Sequence, residues 1–437
     1  MKVINSLLCI AFFFVLSACS EVEEDQNVDF SPWQRAYMVY SYPFDGQQNV
    51  SVKTSISLMF THEINDEYLQ SHFVVLDEDG KEINGAVSAQ NGNDAGLVFK
   101  PEDPLLAGER YTVKYAGVNS EIGVIEDARD IRFTTVGVSG NGREARDGEV
   151  DPYAFGVIRE FPTSDLPFMD FSVIHLTFNQ KLDVSTVILG DSFSFTEAGQ
   201  TQSVAGKLLV KDSYIIFDPE EDLKPSVQYT LSLNESIKAR SGMTLNTGIY
   251  SSKIYTPQDS QPRSLLVQKI FGEPDVNVSP LSGLDRNTVP VNSTLMGDVI
   301  SYAQANYYTE LGFIPNFPDA VPFVIRRGAV IKGSKMPVNI GGKVPAGFDT
   351  GEIYLTLITD ATGYMIKNSY TDDDNAPKLV KMVLDVSMSA QDPRANGGLS
   401  QDVLHIDLFG IGMTENGVLI VDTLGEINPI LLGVEKA

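Results

Sequence analysis

The sequence predicts an all-β protein, and three observations predict it. First, the chain repeats itself. Ile56-Ser-Leu-Met-Phe60 returns as Ile174-His-Leu-Thr-Phe178, Leu97-Val-Phe-Lys-Pro101 as Ile215-Ile-Phe-Asp-Pro219, and Tyr111-Thr-Val-Lys-Tyr115 as Tyr229-Thr-Leu-Ser-Leu233. Each pair lies 118 positions apart, and a constant offset across three separate segments marks a duplicated unit. Second, each copy alternates apolar and polar residues over short runs bounded by Gly, Pro, Asn and Asp, the period-two signature of half-buried strands. Third, the repeat does not recur after residue 258, yet the β composition persists to the end of the 437-residue chain. Two antiparallel sandwiches followed by a third β-rich domain, sandwich or jelly-roll-like, satisfy all three.

The elements follow in order. Lys2 precedes a short apolar run, Leu7 to Val15, which Leu16-Ser17-Ala18-Cys19 closes with small residues ahead of a cysteine. The run is too short to span about 30 Å of hydrocarbon. Its ending resembles the bacterial lipobox, so residues 1–19 read as a lipoprotein signal and Cys19 as the lipidated first residue of the mature chain. That resemblance implies a lipid anchor in the outer membrane, for which Ser20, rather than Asp, matches the sorting preference. The two cysteines of the chain are Cys9 and Cys19, so the mature protein has no free thiol or disulfide once Cys19 is acylated. Residues 20–36 are acidic and aperiodic, a tether. The copies occupy 37–136 and 153–257, joined by a glycine-rich charged linker at 137–152. Within the first copy, Glu63 to His72 allows one helical turn. In the remainder, 259–437, Phe323 to Arg326, Ile353 to Thr359, Val380 to Met388 and Val403 to Phe409 read as strands. Asn416-Gly417 suits a type I′ hairpin turn, and Asp298 to Tyr307 reads as a short helix.

Tyr42-Pro-Phe-Asp-Gly46, Asn49-Val50 and the following ISLMFTHEIN resemble the opening of bacterial Ig-like domains of the S-layer-protein (SbsA-like) type. Val98 to Val113 and Phe133-Thr134-Thr135 are similar to that family's later motifs. The second copy departs at Phe161-Pro162-Thr163-Ser164, and at Pro225-Ser226, which stands where Ala107-Gly108 stood. The resemblance implies a scaffold role with no catalytic residues to carry over.

The chemistry on offer is sparse. Acidic residues number 58 against 32 basic ones, a net charge of −26 that repels nucleic acid and excludes it as a partner. The four histidines, His62, His72, His175 and His405, form no zinc-hydrolase spacing. Alternation with Ile174 and Leu176 turns His175 away from its own sandwich core, to an expected exposed face. His405 and Asp407 share one strand face, but no G-x-S-x-G elbow accompanies them. Acidic pairs are too plentiful to diagnose a glycosidase. Tyr302, Tyr307, Tyr308, Phe313, Phe317 and Phe323 are dense enough for a stacking platform, although core packing is the commoner fate of such residues. Asp372, Asp373 and Asp374 pack three carboxylates into one loop, a donor set that suits Ca²⁺. The reading is a non-enzymatic, lipid-anchored envelope protein in which Ig-like spacers present residues 259–437 to a protein or glycan partner. A polysaccharide-acting hydrolase and a ligand-free structural spacer are the alternatives.

Overall fold

The computed structural model describes residues 35–126, 128–135, 154–248, 250–274, 278–293, 297–415, 418–425, 430–431 and 434–435. The signal segment with Cys19, most of the tether, the linker and the Asn416-Gly417 turn lie outside the described residues.

Ten strands build the first unit: β1 (Met38–Tyr42), β2 (Gln47–Val50), β3 (Ile56–Phe60), β4 (Val74–Leu76), β5 (Gly85–Gln90), β6 (Asn93–Pro101), β7 (Arg110–Lys114), the short β8 (Asn119–Ser120) and β9 (Gly123–Val124), and β10 (Ile131–Thr135). They form sheets in the order β1-β3-β6-β5 and β2-β10-β7-β4. A single helical turn, α1 (Leu69–His72), falls within the segment predicted to hold one. The second unit repeats the plan with β11 (Val157–Phe161), β12 (Ile174–Phe178), β13 (Phe193–Glu197), β14 (Gly206–Lys211), β15 (Tyr214–Pro219), β16 (Tyr229–Leu233) and β17 (Ser252–Tyr255). Its sheets run β11-β12-β15-β14 and β13-β16-β17.

The duplication holds at the level of register. Ile56 pairs with Phe99 and Leu58 with Leu97, as Ile174 pairs with Phe217 and Leu176 with Ile215. Phe60, Phe99 and Tyr111, and their counterparts Phe178, Phe217 and Tyr229, are all buried. Even the tyrosine corner is copied: the Leu106 amide donates to the Tyr111 hydroxyl at 2.8 Å, and the Lys224 amide to the Tyr229 hydroxyl at 3.1 Å. A glycine lies against the equivalent phenylalanine ring in each unit, Gly85 against Phe99 and Gly206 against Phe217, where a Cβ would collide with the ring.

The third unit comprises β18 (Ser264–Phe271), β19 (Thr288–Ser293), β20 (Gly297–Leu311), β21 (Ala320–Ile325), β22 (Val330–Gly333), the ribbon β23 (Pro337–Ile340) and β24 (Val344–Asp349), β25 (Ile353–Leu357), β26 (Ala361–Ile366), β27 (Lys378–Ala390), β28 (Gln401–Glu415) and β29 (Val418–Leu424). The helix predicted from Asp298 to Tyr307 is instead part of β20, from its second residue onward. Two long strands organise this unit. β20 pairs with β21 and β22, which lead through β26 and β25 respectively to β27, so the pairing closes a ring of six strands. β18 and β19 add to β20, and β28 and β29 extend from β27. A short helix, α2 (Pro393–Leu399), links β27 to β28 and is capped by the Asp392 side chain.

Alternation along β27 and β28 sorts their side chains onto two faces. Even positions, Leu384, Val386 and Leu404 with Met382, Met388, Ile406 and Leu408, share one apolar cluster. Odd positions meet the Ig-like units. Leu379, Phe409 and Ile411 join the core of the first unit, and the Tyr40 ring stacks on Phe409 with its hydroxyl donating to the Phe409 carbonyl. Val383 joins Phe161, Leu166, Met169 and Phe171 of the second. The two copies therefore sit side by side on one face of the third unit. This accounts for β1, β3 and β12 being buried at all five positions rather than at alternate ones.

Candidate functional site

Where the second unit meets the third, polar side chains replace the apolar seam. Asp385 and His405 are directly opposed across the β27–β28 ladder, and His175 reaches them from β12. His175 Nε2 lies 2.8 Å from Asp385 Oδ2 and His405 Nδ1 lies 2.8 Å from Asp385 Oδ1. The Thr359 hydroxyl donates to Oδ2 at 2.8 Å. The side chains of His175, Asp385 and His405 are 2%, 0% and 4% exposed. Burial alone would push the Asp385 carboxyl up, but the two imidazoles outweigh it and hold it far below the usual carboxylate range. A carboxylate only accepts, so His175 Nε2 and His405 Nδ1 carry the protons in these contacts. His175 Nδ1 and His405 Nε2 are then buried with no hydrogen-bond partner. Asp407 completes the group: it is ion-paired with Arg159 of β11 and lies 3.7 Å from His405 Nε2. The Tyr214 ring covers His405 at 4.2 Å, and burial beside Asp407 pushes its hydroxyl up to about 12.

His175 is thus not exposed as its strand pattern predicts. Alternation turns it away from its own core, and the third unit covers that side. His405 and Asp407 do share a face, as predicted, but His405 is oriented first by Asp385, a residue that sequence spacing did not single out. The other two histidines are local: His62 contacts Thr61 at 2.9 Å and His72 contacts Asp66 at 2.7 Å.

A second polar region is a cleft of about 360 Å³ lined by Glu220, Glu221, Asp222, Arg326, Arg327 and Asp360. Arg326 bonds Asp222, Glu310 and Asp360 at 2.7–3.0 Å. Arg263 bonds Asp222 and Glu310 at 2.7 and 2.8 Å, and Arg327 bonds Asp218 at 2.9 Å. Burial, with Asp360 nearby, pushes the Asp218 carboxyl up to about 6 despite Arg327. Asp218 and Asp222 of the second unit thus meet arginines of the third across the seam, and these pairs join the two bodies.

The third region faces solvent. On one face of β18 the exposed positions are Leu265 (64%), Val267 (62%), Lys269 and Phe271 (55%). Val267 is opposed on β20 by Tyr308 (61%), and Ile300 lies on the same face of β20. β18 is an edge strand whose outer side has no strand partner among the described residues. An apolar stripe on an open edge is what folded proteins ordinarily blunt with charge; here Lys269 is the one charge on the strand's exposed face. Of the six aromatics singled out from sequence, Tyr308, Phe313 and Phe317 are exposed and Phe323 is buried. Tyr307 packs on the ring's apolar cluster, and Tyr302 hydrogen-bonds Asp285 at 3.3 Å.

Asp372, Asp373 and Asp374 lie on the loop between β26 and β27, against the first unit. Asp373 accepts from the Tyr37 hydroxyl at 2.9 Å and Asp374 pairs with Lys367 at 2.6 Å. Asp373 and Asp374 are turned to separate partners, and among the described residues the three carboxylates are not grouped as His175, Asp385 and His405 are.

A family match agrees with the two repeated units. The bacterial Ig-like domain family model matches residues 35–135 and 162–255, so the chain carries two such domains in tandem. Alkane uptake protein B of Marinobacter nauticus is 32% identical over 467 aligned positions, covering 99% of this chain. The chain spans 43% of that relative's length. Among solved structures, CopC from Methylosinus trichosporium OB3b aligns at 19% identity and a TM-score of 0.20, over 23% of this chain and 94% of that one. Domains 1–6 of the surface layer protein SbsC align at 12% identity and a TM-score of 0.19, over 93% of this chain and 65% of that one.

Proposed function

We propose that this chain is a non-catalytic envelope protein, held at the outer membrane by a lipid on Cys19, that takes part in the uptake of alkane-like compounds. The observation that carries the reading is the exposed apolar face of β18 and β20, formed by Leu265, Val267, Phe271, Ile300 and Tyr308. Removing such side chains from water is worth about 1.5–3 kcal/mol each, enough for several together to hold a hydrocarbon surface. The relative named for alkane uptake, aligned along nearly the whole chain, supports the same chemistry. In this reading the Ig-like pair braces the third unit and holds its apolar face clear of the membrane surface. The test is growth of the native cell on an n-alkane when the chain is replaced by a Leu265→Ser, Val267→Ser, Tyr308→Ser variant. Slower growth on the alkane, with unchanged growth on a water-soluble carbon source, is expected. Equal growth on both, with the variant present at normal abundance, overturns the reading.

A glycan partner is the second reading, favoured by Tyr308 standing beside the exposed Asn306 and Gln304 on one face, an aromatic platform with amides at its edge. Binding of polysaccharide, lost on Tyr308→Ala, distinguishes it.

A further inference from the structure

His175, Asp385 and His405 bring two imidazoles and one carboxylate together from β12, β27 and β28, although His175 and Asp385 are 210 positions apart. All three ligand atoms lie within 4.8 Å of one another in a buried pocket. We propose that this cluster binds a divalent transition metal of the zinc class, clamping the second Ig-like unit to the third. The donor set decides the class: two nitrogens and a carboxylate suit Zn²⁺, whereas Ca²⁺ and Mg²⁺ take oxygen shells. The Asp385–imidazole contacts of 2.8 Å are close to ligand spacing. A tetrahedral ion at about 2.0–2.1 Å from each donor sets its ligands about 3.3 Å apart, so each Asp385–imidazole contact need lengthen by only about half an ångström, and the whole group already lies within 4.8 Å. Asp385 has a second oxygen with which to fill the coordination.

The surroundings match a metal's outer shell. The Thr359 hydroxyl already holds the Asp385 carboxylate, and Asp407, itself fixed by Arg159, faces the far nitrogen of His405 at 3.7 Å. A carboxylate behind a ligating imidazole fixes its tautomer and raises its basicity. One of the two orphaned imidazole nitrogens, His405 Nε2, finds its role in the same way. With the metal on Nδ1, the His405 proton sits on Nε2, toward Asp407, and the nitrogen that lacks a partner becomes a donor facing a carboxylate. Binding moves the His175 proton from Nε2 to Nδ1 and the His405 proton from Nδ1 to Nε2, so each imidazole ligates as the neutral form. Tyr214 over His405, and Phe161 at 6.1 Å from His175, wall the group from water.

The experiment strips the purified full chain with chelator and returns Zn²⁺ alone. Elemental analysis should find one bound ion per chain, and the unfolding midpoint should rise by several degrees and fall again with chelator. His175→Gln and His405→Gln should each abolish the bound ion. Asp407→Asn, which orients rather than ligates, should weaken binding roughly 10–100-fold. Since a histidine variant can fail to fold, X-ray absorption of the wild-type zinc form supplies a second readout, with two imidazoles in a first shell of nitrogen and oxygen. Absence of a stoichiometric ion, a first shell without imidazole, or an ion retained after both histidines are replaced overturns the proposal.

Discussion

Single residues carry the marks of the duplication and of its divergence. Gly108 and Ser226 occupy equivalent positions 118 apart, and both adopt the left-handed conformation, with φ of 67° and 62°. Glycine does this freely, whereas a side chain is strained there by about 1–2 kcal/mol. Ser226 is exposed, so Ser226→Gly should stabilise the chain by about 1 kcal/mol after the extra chain entropy of glycine is counted, as chemical denaturation would show. Asp218 has a different signature. Its folded pKa of about 6 stands above the ordinary 3.8, so the folded state binds its proton more tightly than the unfolded chain does. The associated stability is complete below about pH 4 and is lost as pH rises through about 6, about 3 kcal/mol in all. Asp385, held low by two imidazoles, works the other way: its contribution is present above the ordinary carboxylate range and is lost as pH falls below it. Unfolding midpoints between pH 4 and 7 should therefore decline for the wild type, and decline less for Asp218→Asn. The core phenylalanines were legible in sequence because local alternation and the repeat both specify them. His175 was not, because alternation says which way a side chain turns from its own sheet and nothing about what lies on that side.

At the scale of the element, strands were legible wherever one face was plainly apolar. Val380 to Met388 and Val403 to Phe409 lie within β27 and β28 as expected. β20 was misread as a helix at Asp298 to Tyr307 because its apolar residues fall on both faces: Ile300 and Tyr308 outward, Ala303 and Tyr307 inward. That leaves no clean period of two, and its alanines and glutamine favour a helix. The same two-sidedness makes the exposed stripe. The equivalence of β6 and β15 gives a direct check. Phe99→Ala and Phe217→Ala should each cost about 3–5 kcal/mol, and a much smaller loss at either, measured by denaturant unfolding, would mean the two sandwiches do not have equivalent cores.

At the scale of the whole molecule, the sequence foretold three β-rich bodies in succession, and the structure brings both Ig-like units onto one face of the third. No local pattern encodes that packing, since it joins residues such as Tyr40 and Phe409, 369 positions apart. The odd positions of β27 and β28 form the common floor, apolar under the first unit and, under the second, apolar at Val383 and ionic at Asp385, His405 and Asp407. Phe409 is its apolar anchor, stacked on Tyr40 and packed against the tilted ring of Phe44. Phe409→Ala should cost about 3–5 kcal/mol and raise hydrogen exchange in β1 and β28 together, the coupled response of a shared core. Held in this way, the third unit turns β18 and its neighbouring face of β20 outward, and this exposure underlies the proposed role. Partition onto n-hexadecane droplets measures it most directly, using the full chain with Cys19→Ser to remove any lipid, beside the same chain with Leu265, Val267 and Tyr308 replaced by serine. Surface substitutions of this kind change stability by about 0.5 kcal/mol or less, so both proteins should unfold at nearly the same midpoint. The account predicts that the first chain is depleted from the aqueous phase and that the second stays in solution. Equal partition of the two would contradict it.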